Sequence, residues 1–224
     1  MTAPRTKTFL LARPEARVLE WIAARLPRWV MPDHLTILGV LAAFGIAAAY
    51  ALSNRDPVWL WAASGLLVVH WLGDSLDGTL ARVRRTERPR YGYYLDHLVD
   101  AISTVLIGIG LGLSPHMLLA TGLVIVVAYL VLSINTYLET NALGVFSLGY
   151  GRLGPTEARL GLIAVNTLIA LGLAPAVKLA GLGVTVLDAA GLGLAGLMIA
   201  AVSVRAARNL RELARREPAI HAGS

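Results

Sequence analysis

Residues 58–112 read VWLWAASGLLVVHWLGDSLDGTLARVRRTERPRYGYYLDHLVDAISTVLIGIGLG. The stretch opens apolar, becomes polar after Trp71, passes a basic turn, and becomes apolar again only after Ala101. This pattern predicts two helices, about 58–85 and 91–112, whose polar ends meet on one side of a membrane. A hydrocarbon core of ~30 Å takes ~20 helical residues. The first of the two helices is therefore expected to project beyond the bilayer. Four aspartates lie at the polar ends: Asp74 and Asp77 at i, i+3, and Asp96 and Asp100 at i, i+4. Both spacings put the pair on one helical face.

The rest of the chain supports a membrane reading. Of its 224 residues 56% are hydrophobic and 15% charged, with mean hydropathy +0.65; an ordinary soluble domain carries about 25% charged residues. Further apolar runs lie at Ile37 to Leu52, Leu118 to Leu132, Leu160 to Leu173 and Val184 to Val204. The fold expected is an all-α integral membrane domain spanning 1–224. It has six transmembrane helices, at about 34–52, 58–85, 91–112, 116–138, 155–174 and 183–205. Before them, residues 14–27 (PEARVLEWIAARLP) place Val18, Leu19, Trp21, Ile22 and Leu26 largely on one face. That suits an amphipathic helix lying in the interface, although an ordinary helix packed on protein has the same pattern. No repeat or linker divides the chain.

The net charge of +6 does not point to nucleic acid, because the basic residues follow the membrane. All but Arg55 and Lys178 of the 20 fall in four clusters, Arg5–Arg28, Arg82–Arg90, Arg152/Arg159 and Arg205–Arg216. With six spans these all face one side, which the positive-inside rule makes cytoplasmic, together with both termini. Met1 to Pro14 lacks an apolar core and cleavage site, so no removable signal peptide is expected. Cysteine is absent, which excludes thiolate metal sites and cysteine nucleophiles.

Intramembrane carboxylates are costly and mark function by default. Gly78 and Ala81 share the stripe of Asp74 and Asp77, leaving room for a ligand against the backbone. Arg82, one turn on, offers a planar fork for phosphate. Four facing carboxylates repel unless hard cations neutralise them, and Mg²⁺ characteristically bridges carboxylates to phosphates. Helix ends salt-bridged to the arginine cluster are the plain alternative, but these do not require glycine and alanine at set places. An ion transporter is a rival of another class. Its ionisable groups belong near the midplane of repeated halves, not at helix ends.

Asp74-x-x-Asp77-Gly78-x-x-Ala81-Arg82 followed by Gly92-x-x-x-Asp96-x-x-x-Asp100 resembles the signature of the CDP-alcohol phosphotransferase family. Nine residues separate Arg82 from Gly92, one more than is usual there, which leaves Thr86, Arg88 and Pro89 open as the substrate-contacting loop residue. The resemblance implies a divalent-metal enzyme that moves a substituted phosphate from a CDP-linked donor to an alcohol. Asp74, Asp77 and Asp96 would hold one Mg²⁺ or Mn²⁺ ion, and Asp74, Asp96 and Asp100 a second. Gly78, Ala81, Arg82 and Gly92 would contact the CDP-alcohol, with Asp33 to Thr36 nearby. Asp100 is the base in many members.

Two features resemble the choline and ethanolamine branch, whose acceptor is diacylglycerol. His97 follows Asp96 directly, and an imidazole of pKa ~6.5 suits proton abstraction near neutrality. The stretch Thr136-Tyr137, the glycine-rich loop and Gly154-Pro155-Thr156-Glu157 is similar as well. Glu157 would there orient His97 or meet a cationic head group, or else complement its helix dipole. Against this, Pro32-Asp33-x-x-Thr36 resembles enzymes using CDP-diacylglycerol and a polar alcohol, for which Arg152 and Arg159 would serve an inositol phosphate. His70, one turn before Asp74, reads equally as support for the site or as an interior histidine. The five tryptophans read as an interfacial belt. Gly108, Gly110, Gly191, Gly193 and Gly196 read as close helix contacts and as a candidate homodimer seam.

Overall fold

The computed structural model describes residues 11–144, 154–173, 178–179 and 184–217. Its helices are α1 (Ala12–Ala23), α2 (Pro32–Leu52), α3 (Trp59–Val83), α4 (Pro89–Gly112), α5 (Leu119–Leu143), α6 (Pro155–Ala170) and α7 (Val186–Arg216). Two short strands, β1 (Lys178–Leu179) and β2 (Val184–Thr185), pair antiparallel with Lys178 opposite Thr185. Among the described residues four helices, α2, α4, α5 and α7, are long and apolar enough to cross a membrane. With 16 residues α6 falls just below the ~17 that span a bilayer. Although α3 has 25 residues, His70, Asp74 and Asp77 dilute its apolar stretch.

The helix bounds differ from expectation at identifiable stops. α1 ends at Ala23 rather than 27, because the chain turns ahead of Pro27. α5 continues to Leu143 rather than 138, until Gly144 closes it at φ +70, a left-handed conformation that glycine adopts without strain. The expected glycine-rich loop, with Arg152, lies largely outside the described residues. α7 runs to Arg216 rather than 205, with Arg215 and Arg216 in its last turn complementing the helix dipole. At its other end the buried Asp188 caps the helix through Thr185 and accepts the Leu118 N–H at 2.8 Å.

Two apolar clusters organise the packing. Leu19 and Ala23 of α1 meet Leu35 of α2 and Leu76 and Leu80 of α3. Toward the other end, Ile46, Ala49 and Tyr50 of α2 interlock with Leu60, Ala63 and Leu67 of α3, and Ile107 of α4 and Leu162 of α6 pack against them. A buried polar thread crosses the second cluster: the Tyr50 hydroxyl donates to Asn166 Oδ1, and Asn166 Nδ2 donates to Ser64 Oγ, both at 3.2 Å.

Between the two clusters, α2 and α3 cross backbone to backbone. A Cβ at Gly73 would stand 2.6 Å from the Gly39 amide nitrogen and 2.7 Å from the Leu35 carbonyl oxygen. Glycines also set the other crossings. Gly110 abuts Ala47, a Cβ at Gly122 would lie 2.6 Å from the Gly108 carbonyl oxygen, and one at Gly191 would lie 2.7 Å from Ile125. Gly193 and Gly196 face open space, so they make none of the close contacts expected of them within the chain.

The α2–α3 crossing gives a direct test. Gly73→Ala should lower stability by about 1–3 kcal/mol, as overpacking does, because backbone rather than a mobile side chain is in the way. Gly39→Ala, whose Cβ would reach ordinary contact 3.5 Å from Asp74 N, should be tolerated. Thermal unfolding of the two variants in detergent, read against wild type, checks the contrast.

Candidate functional site

The residue after the Gly73 crossing is Asp74, so α2 braces the backbone that presents the first carboxylate. Asp74, Asp96 and Asp100 each bring an oxygen to within 4.8 Å of the others. The set is anionic and all-oxygen, which suits a hard divalent cation. The structure thus brings together three of the four aspartates singled out in the sequence.

Asp77 is held separately. Thr36 Oγ1 donates to its Oδ2 at 2.6 Å, and the Gly78 N–H reaches its Oδ1 at 2.5 Å. Thr36 is itself buried, with Pro32 O also 3.3 Å from its hydroxyl. Thr36 therefore supports a carboxylate, a role more specific than the expected place near the nucleotide. Gly78 leaves space that the Arg82 guanidinium borders: a Cβ there would be 3.4 Å from Arg82 Nη1. Arg82 Nη2 donates to Thr79 Oγ1 at 2.9 Å. Ala81 is half-buried, and Gly92 lies exposed in the first turn of α4.

Asp33, expected near the substrate, receives both hydrogen bonds of a forked contact from Arg88 Nη2, at 2.5 and 2.7 Å. Its carboxylate holds the Arg88 guanidinium further toward the charged form. Arg88 also lies over the Tyr91 ring, 3.9 Å from its centroid. Of the three loop residues left open, Arg88 is the one tied to the start of α2.

His97 stands between two tyrosines. Tyr93, one turn earlier, meets it edge-on at 4.2 Å, and Tyr137 of α5 stacks on it at 4.6 Å. Its Nδ1 is 3.8 Å from Asp96 Oδ2, close enough for charge attraction but longer than a hydrogen bond. The Glu157 carboxylate accepts the Gly154 N–H at 2.9 Å, as a helix cap, and the Leu11 N–H at 3.0 Å. His70 is 4% exposed, and its Nδ1 has no hydrogen-bond partner among the described residues.

Three residues matter here beyond their reading in the sequence. Arg159 of α6 places Nη2 2.5 Å from Asp74 Oδ2, with both side chains largely buried. Glu15 of α1 accepts at one oxygen from Trp71 Nε1 and Thr156 Oγ1, each at 2.8 Å, and from Ser75 Oγ at 3.4 Å. Trp71 is thus a hydrogen-bond donor within the protein rather than only part of an aromatic belt. Arg84 donates to the carbonyls of Val30, Leu26 and Pro27, fastening the α1–α2 turn to the end of α3. Isolated glutamates and arginines give no sequence signal for such distant partners.

The family model for CDP-alcohol phosphatidyltransferases matches residues 29–205, and the chain belongs to that family. It is 28% identical to cholinephosphotransferase 1 of Danio rerio over 163 residues, which is 67% of this chain and 41% of that protein. It is 30% identical over 118 residues to a CDP-diacylglycerol–glycerol-3-phosphate 3-phosphatidyltransferase of Cereibacter sphaeroides, 51% of this chain and 52% of the relative. A CDP-diacylglycerol–serine O-phosphatidyltransferase of Encephalitozoon cuniculi shares 32% over 124 residues, 49% of this chain and 31% of the relative. The chain matches about two-fifths of the length of the zebrafish protein.

The Glu15 junction yields a second test. Glu15→Ala strands donors on both α3 and α6, and removing an acceptor from buried donors costs about 1–3 kcal/mol. Glu15→Gln keeps an acceptor oxygen and should lose clearly less. Thermal unfolding in detergent, with Trp71 environment followed by fluorescence, should show Glu15→Ala below Glu15→Gln, and Glu15→Gln below wild type.

Proposed function

We propose that the chain is a membrane transferase of phospholipid synthesis that moves a phosphocholine- or phosphoethanolamine-like group from a CDP-linked donor to diacylglycerol, releasing CMP. The observation that carries this is the convergence of Asp74 of α3 with Asp96 and Asp100 of α4, in a chain of this family. The similarity to cholinephosphotransferases over two-thirds of the chain and the His97 position support this branch.

In this reading Asp74, Asp96 and Asp100 hold one divalent cation, Mg²⁺ or Mn²⁺, and Asp74, Asp77 and Asp96 a second. Bound there, such cations polarise the phosphoryl group and offset charge developing on its oxygens. The open space at Gly78 admits the donor's nucleotide beside α3, and Arg82 grips a phosphate through its fork. His97 takes the proton from the acceptor hydroxyl as that oxygen forms its bond to phosphorus and the bond to CMP breaks. Tyr93 and Tyr137 hold the ring in place.

The topology belongs to the same proposal. All of α2 to α7 cross the membrane. The chain forms one domain with its termini and active site on the cytoplasmic side, and α1 lies in the interface with Trp21 and Trp29 exposed. The outward-facing Gly193 and Gly196 form a homodimer seam. A second reading, in which CDP-diacylglycerol is the donor and a polar alcohol the acceptor, is favoured by the Arg159 charge inside the site and by the bacterial and microsporidian relatives.

Purified protein given radiolabelled CDP-choline or CDP-ethanolamine with diacylglycerol and Mg²⁺ or Mn²⁺ should form labelled lipid, and EDTA should abolish it. Label transfer only from CDP-diacylglycerol to polar alcohols would establish the second reading instead. His97→Gln should lower turnover by about 10²- to 10⁴-fold, as loss of a general base does, while CDP binding by calorimetry stays near wild type. Wild-type turnover in that variant would return the base role to Asp100.

A further inference from the structure

Arg159 places a guanidinium on one of the carboxylates to which the reading above assigns a metal ion. Its Nη2 is 2.5 Å from Asp74 Oδ2, with side chains only 13% and 18% exposed, and Asp74 is one of the three carboxylates that converge. The contact is built into the fold rather than made by a loosely held surface chain. Thr156 and Arg159 are three residues apart, on one face of α6. Glu15 receives Thr156 at 2.8 Å and, through the same oxygen, Trp71 and Ser75 of α3. Those two residues flank Asp74. The start of α6 is further pinned by the Glu157 cap and by the Leu11 N–H. The Glu15 bridge ties the start of α6, which carries Arg159, to the stretch of α3 that carries Asp74.

We propose that Arg159 is the counter-ion of the metal-free site, occupying the Asp74 carboxylate until a divalent cation displaces it. Without such a charge, three carboxylates within reach of one another would repel in a poorly solvated setting. With it, the folded site persists before metal arrives. The cost is that loading must break a short, largely buried ion pair, so the apparent metal affinity is lower than the carboxylates alone would give. Displacement also frees a planar two-point donor at the moment the site becomes able to receive phosphate. The inference rests on the metal reading, and its test separates the two.

Binding of Mn²⁺ to detergent-purified protein would be measured by calorimetry for wild type, Arg159→Gln, Arg159→Lys and Asp74→Asn. Displacement and charge repulsion act in the same direction, so Arg159→Gln should bind Mn²⁺ at least about fivefold more tightly, within the usual range of coupling between sites. Its metal-free form should unfold at a lower temperature than wild type and recover when saturated with Mn²⁺. Arg159→Lys keeps the charge and should restore most of the metal-free stability. A residue that merely shapes the site would give the opposite sign, with weaker Mn²⁺ binding on removal.

Wild-type protein supplies an independent readout that needs no variant to fold. Modification of Arg159 by phenylglyoxal, quantified by mass spectrometry, should be slow without metal and faster with Mn²⁺. Equal or weaker Mn²⁺ binding by a folded Arg159→Gln protein would overturn the proposal. So would Arg159 modification that Mn²⁺ leaves unchanged or slows. If wild type bound no Mn²⁺, the metal reading itself would fall and this inference with it; binding that survives in Asp74→Asn would remove Asp74 from the site.

Discussion

Carboxylates brought together in a partly buried site repel one another, and poor solvation magnifies the repulsion. Asp74, Asp96 and Asp100 have oxygens within 4.8 Å of each other, and much of the structure answers that constraint. The acids lie on the polar stretches of the two helices, Asp74 in the second half of α3 and Asp96 and Asp100 in the first half of α4. Arg159 meets one of them with an opposite charge. Asp77, three residues on from Asp74 along α3, is satisfied differently. Its oxygens take a hydroxyl from Thr36 and an amide from Gly78, neutral donors that stabilise a carboxylate without adding charge.

A charge arrangement of this kind works only if the helices are held to within fractions of an ångström, and backbone contact does that holding. At Gly73 there is no side chain to compress, so the α2 backbone sets the position of Asp74 directly. The first apolar cluster locks the same stretch of α3 from the α1 side. Glu15 and Arg84 then tie α1 and the α1–α2 turn to α3 through directional bonds. α1 is thus part of the scaffold, whatever its relation to the lipid. The pattern read as amphipathic divides in the structure, with Leu19 and Ala23 buried on protein while Val18 and Trp21 remain exposed.

What was legible in the sequence was local or periodic. The i, i+3 and i, i+4 spacings of the aspartates and the switch from apolar to polar along 58–112 act within one or two turns. They placed the helix starts to within a few residues, and they singled out Asp74, Asp96 and Asp100, which the structure brings together. Partners across long stretches of sequence were not legible. Nothing near Glu15 announces Thr156, 141 residues away, and nothing near Asp33 announces Arg88. Glycines illustrate the limit well. Gly110 and Gly193 look alike in an apolar helix, yet one lies against Ala47 and the other meets nothing. Only the packing partner distinguishes them. Helix length suffered similarly, because α5 and α7 continue past their apolar stretches on hydrogen bonding and capping that hydropathy does not register.

The same distinction accounts for the way the site divides between chain neighbours and distant helices. Asp74 and Asp77 are three residues apart, and an α-helix alone puts them on one face. Their different surroundings come from elsewhere: α2 brings Thr36 to one, and α6 brings Arg159 to the other. A motif of spaced aspartates therefore specifies where anionic oxygens point, while the helices packed on either side decide how each charge is balanced. Changes in α2 or α6 can alter that balance without touching a single residue of the motif. That is how one arrangement of carboxylates can be kept while the chemistry around it diverges.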